Sequence, residues 1–116
     1  MSFTERRQFP RVESSNLTYV YRDKGNQILD RGTGRTINIS QWGFLFESNV
    51  QMKKKHNLIA TVELPDGPVE LQGTIVYSKR NGDKYIAGVE IKDMAETDKP
   101  LWEKLIGWLL NKKAAA

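Results

Sequence analysis

The sequence contains no cysteine, and this absence excludes disulfides and thiolate metal centres. It has one histidine, His56, in a basic segment at residues 51–57, and no recognisable partner would orient that side chain as a base. The acidic residues are scattered and lack the spacing of metal ligands. We therefore expect neither a catalytic residue nor a metal site. The lysines at residues 53–55 are interpreted as a solvated loop.

Long apolar runs are also absent. No segment could span a bilayer, and the N-terminal residues lack the apolar region of a signal peptide. We therefore expect no membrane insertion and a cytoplasmic location. The sequence has no P-loop, and Gly32-Thr33-Gly34 lacks the third glycine and the strand-to-helix context of a dinucleotide-binding loop.

Length and charge are those of one small basic domain. The 116 residues are 39% hydrophobic and 28% charged, values that are ordinary for a globular protein with a single core. The formal net charge is +4, which favours an anionic partner without identifying it.

Apolar residues alternate with other residues in several short runs, which is the pattern of half-buried strands. Turn signals separate these runs at residues 23–26, 65–68 and 81–82. With a strand at residues 36–40 and another at 44–46, six strands at short intervals predict a small antiparallel barrel or sandwich. The other four runs place these residues on one face: Leu17, Tyr19 and Tyr21; Leu58, Ala60, Val62 and Leu64; Val69, Leu71, Gly73, Ile75 and Tyr77; Tyr85, Ala87, Val89 and Ile91.

Around residues 36–40, strict alternation predicts that Ile37 and Ile39 point into the core. Thr36, Asn38 and Ser40 would then project together from the opposite face. Gly32 and Gly34 are interpreted as an irregular segment that leads into this strand.

A helix is predicted at residues 96–113, where Thr97 or Asp98 can cap it and Pro100 fits its first turn. Its apolar arc is wider than the usual face of roughly 100°. Either loops cover the flank of this arc, or Ile106 and Leu110 form a protein interface for self-association or for a downstream partner. The apolar positions are Leu101, Trp102, Leu105, Ile106, Trp108, Leu109 and Leu110.

Two motifs stand out from this background. The first is the arginine-rich stretch Arg6-Arg7-Gln8-Phe9-Pro10-Arg11, which contains R-x-x-x-R. Because Pro10 disfavours helix at the preceding residue, the stretch is predicted to be extended, with guanidiniums that can bind phosphate or a guanine edge. The second is Asn38-Ile39-Ser40-Gln41-Trp42-Gly43, which reads N-x-S-x-x-G.

This ordered pair of motifs, followed by strand-like segments, resembles the PilZ domain, the bacterial receptor module for cyclic di-GMP. The resemblance implies a mainly β fold, a six-stranded antiparallel barrel with a C-terminal helix. We expect a flexible arm at residues 1–12, the barrel at 13–95 and the helix at 96–113. The implied function is a cyclic di-GMP receptor that is not an enzyme, needs no cofactor and signals to a partner protein.

The resemblance also implies the ligand-binding residues. Arg7 and Arg11 would bind the phosphates and guanine edges, and an additional arginine at Arg6 favours two ligands per chain. Asn38, Ser40 and Gly43 would line the barrel surface, where Gly43 leaves room for a purine. Asn38 lacks the carboxylate that the family also accepts at this position, which lowers the expected affinity. Trp42 would either stack on the ligand or cover the barrel edge.

Two other functions remain open. Small basic barrels can bind single-stranded nucleic acid, but the basic residues here concentrate in one arm instead of following a stripe with exposed aromatic residues. Nucleic acid is therefore disfavoured as a partner. Alternatively, a degenerate PilZ domain could serve as a protein adaptor without a ligand. The preferred mechanism is coupled ordering, in which the ligand draws Arg7 and Arg11 onto the face that carries Asn38 and Ser40.

Overall fold

The computed structural model describes residues 16–115, and it describes side chains for residues 16–107. This part of the chain contains six strands and one helix. The strands are β1 (Asn16–Arg22), β2 (Ile28–Ile39), β3 (Gly43–Ser48), β4 (Asn57–Leu64), β5 (Gly67–Asn81) and β6 (Lys84–Met94), and the helix is α1 (Lys99–Ala115).

The strands form a closed antiparallel barrel in the order β1-β2-β3-β6-β5-β4. Pairing between β1 and β4 closes it, with Leu17 opposite Val62 and Arg22 opposite Asn57. The pairing of β3 with β6 joins strands that are not consecutive in sequence. The expected six-stranded antiparallel barrel with a C-terminal helix is therefore confirmed.

The barrel interior contains the apolar positions that alternation predicts in β1 and β4. Leu17, Tyr19 and Tyr21 are each at most 5% exposed. Tyr19 also donates a hydrogen bond to Asp30 Oδ2 at 2.8 Å. The pKa of the Tyr19 phenol is raised, mainly because the group is buried and to a smaller extent because of this hydrogen bond. The largest fully buried side chains are Phe46, Leu17, Leu58, Leu71, Ile75, Val62 and Val69.

Strand β2 begins earlier than the sequence predicts, and both Gly32 and Gly34 lie inside it. A Cβ at Gly32 would lie 2.7 Å from the Tyr19 hydroxyl oxygen, and one at Gly34 would collide with the carbonyl oxygen of Glu47. These glycines therefore permit close packing within a regular strand, so their interpretation as an irregular segment is wrong.

Bulges in β2 and β5 change which side chains face the core. In β2, Thr36 pairs with Phe46 and Asn38 pairs with Leu45, so that Ile37 is an extra residue. Thr36 is consequently buried, at 1% exposed, and does not share the outer face with Asn38 as predicted. In β5, Ile75 pairs with Val89 and Tyr77 pairs with Gly88, so that Val76 is the extra residue.

The β5 bulge turns Tyr77 outward, where it is 40% exposed. Its predicted inward orientation is therefore wrong. The physical reason is the same in both strands, because one inserted residue shifts the two-residue period of the side chains that follow it.

Helix α1 packs against the barrel near the β4–β5 turn. Trp102 and Leu105 are buried in the core, and the Lys104 ammonium lies 2.9 Å from Asp66 Oδ2. The Asp98 carboxylate accepts a hydrogen bond from the backbone N–H of Glu70 in β5 at 3.0 Å, so it fixes the start of the helix to the sheet. No helix in residues 16–115 is long and apolar enough to cross a membrane.

The wide apolar arc of α1 is partly buried against the barrel core. Leu101 and Ile106 are half-buried and pack against the core. The side chains of Trp108, Leu109 and Leu110 lie outside the described residues. Ile106 therefore contributes to core packing, whereas Leu110 stays a predicted interface residue.

Candidate functional site

The motif residues Asn38 to Gly43 form the connection between β2 and β3. The Ser40 backbone N–H donates to the Gly43 carbonyl at 2.8 Å, and the Ser40 hydroxyl donates to the same oxygen at 3.1 Å. This double hydrogen bond closes a tight turn over Gln41 and Trp42. Because the hydroxyl proton is used in the turn, the lone pairs of Ser40 are the groups that can contact a ligand.

The Trp42 side chain lies at the tip of the turn, and its backbone is bonded to the sheet. The Trp42 carbonyl accepts a hydrogen bond from the Ile91 N–H of β6 at 2.8 Å, while its side chain is 72% exposed. A large aromatic side chain on a fixed backbone is a stable surface for a planar group to stack on.

Gly43 allows β3 to approach β6 closely. It pairs with Glu90, and a Cβ at Gly43 would collide with the carbonyl oxygen of Val89. The space that the missing side chain leaves is therefore filled by the barrel's own backbone. This corrects the interpretation that Gly43 leaves room for a purine ring, although the residue does line the candidate site.

The site is a cleft of about 490 Å³ on the outer face of the barrel. This volume lies within the range of roughly 300–1,000 Å³ that is typical of small-molecule sites. It crosses strands β2, β3, β6 and β5, and its lining residues are Asn38, Ser40, Trp42, Gly43, Phe44, Leu45, Val76, Tyr77, Gly88, Val89 and Glu90.

Strand register explains how the cleft forms. Asn38 pairs with Leu45, Leu45 pairs with Gly88, and Gly88 pairs with Tyr77, which gives one continuous row across four strands. The bulges in β2 and β5 turn the two ends of this row, Asn38 and Tyr77, toward solvent. Between these ends lie the half-buried Leu45 and Gly88, whose missing side chain leaves room for a neighbouring ring.

The Tyr77 ring packs directly on Gly88, since a Cβ at Gly88 would lie 2.5 Å from Tyr77 Cε1. Together with Trp42 and Val76, it gives the cleft three exposed apolar side chains. The sequence analysis did not identify Val76, Tyr77 or Glu90 as site residues. The sequence shows an aromatic residue, Tyr77, and a glycine, Gly88, in two neighbouring strands. Their contact can be recognised only once the β5–β6 register is known.

The charge of the cleft is negative in the described part of the chain. None of the lining residues within that part is basic, and Glu90 is acidic. The predicted arginines Arg6, Arg7 and Arg11 lie outside the described residues. The cleft by itself thus offers an apolar and amide-bearing surface suited to neutral aromatic rings, and its described lining residues supply no cation.

Comparison with known proteins identifies the family of the chain. A family model described as the PilZ domain matches residues 5–111, which is nearly the whole chain. The chain belongs to the PilZ domain family. PilZ domains are a family of cyclic di-GMP receptors and bind their ligand without converting it. No curated protein matches the chain.

The PilZ match spans both motifs, the barrel and most of α1. Within that range the structure brings Asn38, Ser40, Trp42 and Gly43 together on one cleft, with Tyr77 and Glu90 as additional neighbours.

Proposed function

We propose that this PilZ domain binds cyclic di-GMP in the cleft between Trp42 and Tyr77. The observation that carries the proposal is the cleft itself, in which four residues of the N-x-S-x-x-G motif meet exposed aromatic side chains on the outer barrel surface. The family match supports the choice of ligand. The domain acts as a receptor and does not turn the ligand over.

The charge of the cleft determines which part of the ligand we place in it. The cleft binds the guanine bases, because aromatic side chains stack on bases and contribute about 1–3 kcal/mol for each base. Asn38 and Ser40 supply hydrogen-bonding groups at the edge of the stacked base. The phosphates need cations, and the cleft-lining residues in the described part of the chain provide none.

We assign the phosphates to Arg7 and Arg11. Each guanidinium can bind a phosphate through two parallel hydrogen bonds, a geometry that lysine cannot reproduce. Binding then fixes the arm, residues 1–12, against the barrel face that carries Asn38 and Ser40. Arg6 provides a third guanidinium, which favours a second bound ligand.

Isothermal titration calorimetry with cyclic di-GMP tests the proposal. The wild type is expected to bind with saturation at a ratio of two ligands per chain. Arg7→Ala and Arg11→Ala are each expected to weaken binding by about 1.5–3 kcal/mol, the scale of a hydrogen bond to a charged group. Arg31→Ala is the matched control, because Arg31 is exposed on β2 and does not line the cleft.

The outcomes separate the alternatives. No binding by the wild type would leave a PilZ adaptor without a ligand. Binding that is lost in excess single-stranded DNA, and that falls steeply with salt, would indicate a nucleic-acid-binding barrel. Wild-type affinity in both arginine variants would refute the assignment of the motif, and a ratio of one that is unchanged in Arg6→Leu would refute the second ligand.

Hydrogen exchange tests the proposed response of the arm. Amides of residues 5–11 are expected to exchange more slowly when cyclic di-GMP is added, while amides in the middle of β4 serve as an internal reference. Equal protection with and without ligand would contradict coupled ordering. In this mechanism the ordered arm, with the end of α1 as a second surface, presents the signal to a partner protein.

A further inference from the structure

Glu90 is the one charged residue among the described residues that line the cleft. Its neighbour on β3 is Gly43 and its neighbour on β5 is Thr74. Glu90 is exposed, and its pairing with Gly43 places it beside the end of the motif turn. The carboxylate thus stands at the edge of the cleft next to the turn that carries Trp42.

The present partner of Glu90 is weakly bound. Lys92, two residues along the same strand, places its ammonium 2.9 Å from Glu90 Oε1, and the two side chains are 57% and 53% exposed. Exposed ion pairs of this kind contribute little to stability, so Glu90 can exchange Lys92 for another donor at little cost.

A carboxylate in this position opposes the binding of a dianionic ligand. Like charges that come close repel more strongly near a protein surface than in bulk water, because the effective dielectric constant is lower there. The repulsion is offset if the carboxylate accepts strong hydrogen bonds from the ligand. An ionised carboxylate has two acceptor oxygens, and guanine presents two donors side by side, N1–H and the N2 amino group.

We propose that Glu90 determines specificity for guanine by accepting hydrogen bonds from the N1–H and N2 amino group of a base that is stacked in the cleft. The inference rests on the proposed cyclic di-GMP site. Adenine presents an acceptor at N1 and is repelled by the carboxylate, whereas hypoxanthine retains N1–H but lacks the amino group. Glu90 therefore supplies the carboxylate that Asn38 does not have.

The test measures the affinity of three ligands for the full-length chain and its Glu90→Gln variant. The ligands are cyclic di-GMP, cyclic di-AMP and the cyclic dinucleotide of inosine. Glutamine keeps the size of the side chain but cannot accept both hydrogen bonds. We expect Glu90→Gln to bind cyclic di-GMP at least tenfold more weakly, and to lose most of the preference for guanine over hypoxanthine.

Glu63→Gln is the matched control, because Glu63 is an exposed carboxylate on β4 that does not line the cleft. It removes the same charge and should leave all three affinities unchanged. Since Glu90 is exposed, thermal melting of Glu90→Gln is expected to match that of the wild type.

Whether Glu90→Gln weakens or strengthens binding distinguishes recognition of guanine by Glu90 from electrostatic repulsion of the ligand. If Glu90 merely repels the ligand, Glu90→Gln binds all three dinucleotides more tightly, and the inference is overturned. Unchanged affinity for cyclic di-GMP overturns it as well. A wild type that does not bind cyclic di-GMP refutes the proposed function itself, whereas wild-type binding without an effect of Glu90→Gln refutes only the role of Glu90.

Discussion

Single residues in the motif turn stabilise the barrel itself, in addition to the ligand-binding roles that are proposed for them. Ser40 uses its hydroxyl proton to close the turn on the Gly43 carbonyl, and Gly43 lets β3 approach β6. Substitutions here will change the turn as well as the site. Stability and affinity must therefore be measured together for every variant of the motif.

Gly43→Ala is expected to destabilise the barrel without any ligand, because the new methyl group meets the carbonyl oxygen of Val89. The expected loss is about 1–3 kcal/mol, the scale of overpacking in a tightly packed region. Urea denaturation of the ligand-free protein measures it. Unchanged stability would show that β3 and β6 can separate slightly without cost.

Gly107→Ala is a matched control that is expected to change stability in the opposite direction. Gly107 lies in α1, and a Cβ built at this residue meets no described atom within 4 Å beyond its chain neighbours and the nearby helix backbone. Alanine should therefore stabilise the protein by about 0.8–1.0 kcal/mol through its higher helix propensity.

Tyr77 is one of the cleft residues that only the structure identifies, and stacking is its proposed role. Tyr77→Ala should weaken cyclic di-GMP binding by about 1–3 kcal/mol, while Tyr77→Phe keeps the ring and should bind normally. Leu29→Ala is a suitable control, since Leu29 is 48% exposed and lies outside the cleft. Equal calorimetric affinities for Tyr77→Ala and the wild type would show that the base does not stack there.

At the scale of elements, the helix and the barrel are joined by a small number of strong contacts. Trp102 is 3% exposed, and the Asp98 carboxylate accepts a hydrogen bond from the backbone N–H of Glu70. Among the residues that the structure describes, the buried Trp102 indole nitrogen has no hydrogen-bond partner, so the contacts described for this side chain are those of its apolar volume.

Trp102→Ala should lower the free energy of unfolding by about 3–5 kcal/mol, as for other large core residues. Trp102→Phe should cost much less, because the volume it loses is offset by removal of a buried donor that costs about 1–3 kcal/mol. Chemical denaturation of both variants measures the difference, with the exposed Trp42→Phe as control. A Trp102→Phe variant as unstable as Trp102→Ala would imply that the indole nitrogen is satisfied.

At the scale of the whole molecule, the barrel and the arginine-rich arm carry complementary properties. The cleft is apolar, and its one charged residue in the described part of the chain is acidic. The net charge of the chain is nevertheless +4. In the proposed receptor, the cleft would bind the bases and the arginines would bind the phosphates.

Global stability should fall at alkaline pH because of Tyr19. Its pKa is raised in the folded state by burial and by the hydrogen bond to Asp30, above the unfolded value of about 10. The folded state then holds a proton that the unfolded state releases above pH 10. The contribution is complete below about pH 10 and is lost above it, by up to about 1.4 kcal/mol per pH unit.

Tyr19→Phe provides the comparison. The variant should be less stable than the wild type by about 1 kcal/mol at pH 8, since it lacks the hydrogen bond. The gap should narrow or reverse at pH 11, as followed by urea denaturation at both pH values. A constant gap would show that the Tyr19 phenol titrates equally in the folded and unfolded states.

The sequence by itself determined much of this protein. Alternation identified the buried faces of β1 and β4, turn residues placed the hairpins, and the change of period marked α1. The two motifs identified the family, because a specific order of arginine, polar and glycine residues is local information that a sequence displays directly.

Only the tertiary structure decided which residues surround the motif. The bulges at Ile37 and Val76 reverse the orientation of the residues that follow them, and an extra residue in one strand is defined only by the strand that pairs with it. The pairing of β3 with β6 likewise brings Gly88 and Glu90 beside residues more than forty positions earlier. Alternation within one strand therefore placed the core, whereas pairing between distant strands built the cleft.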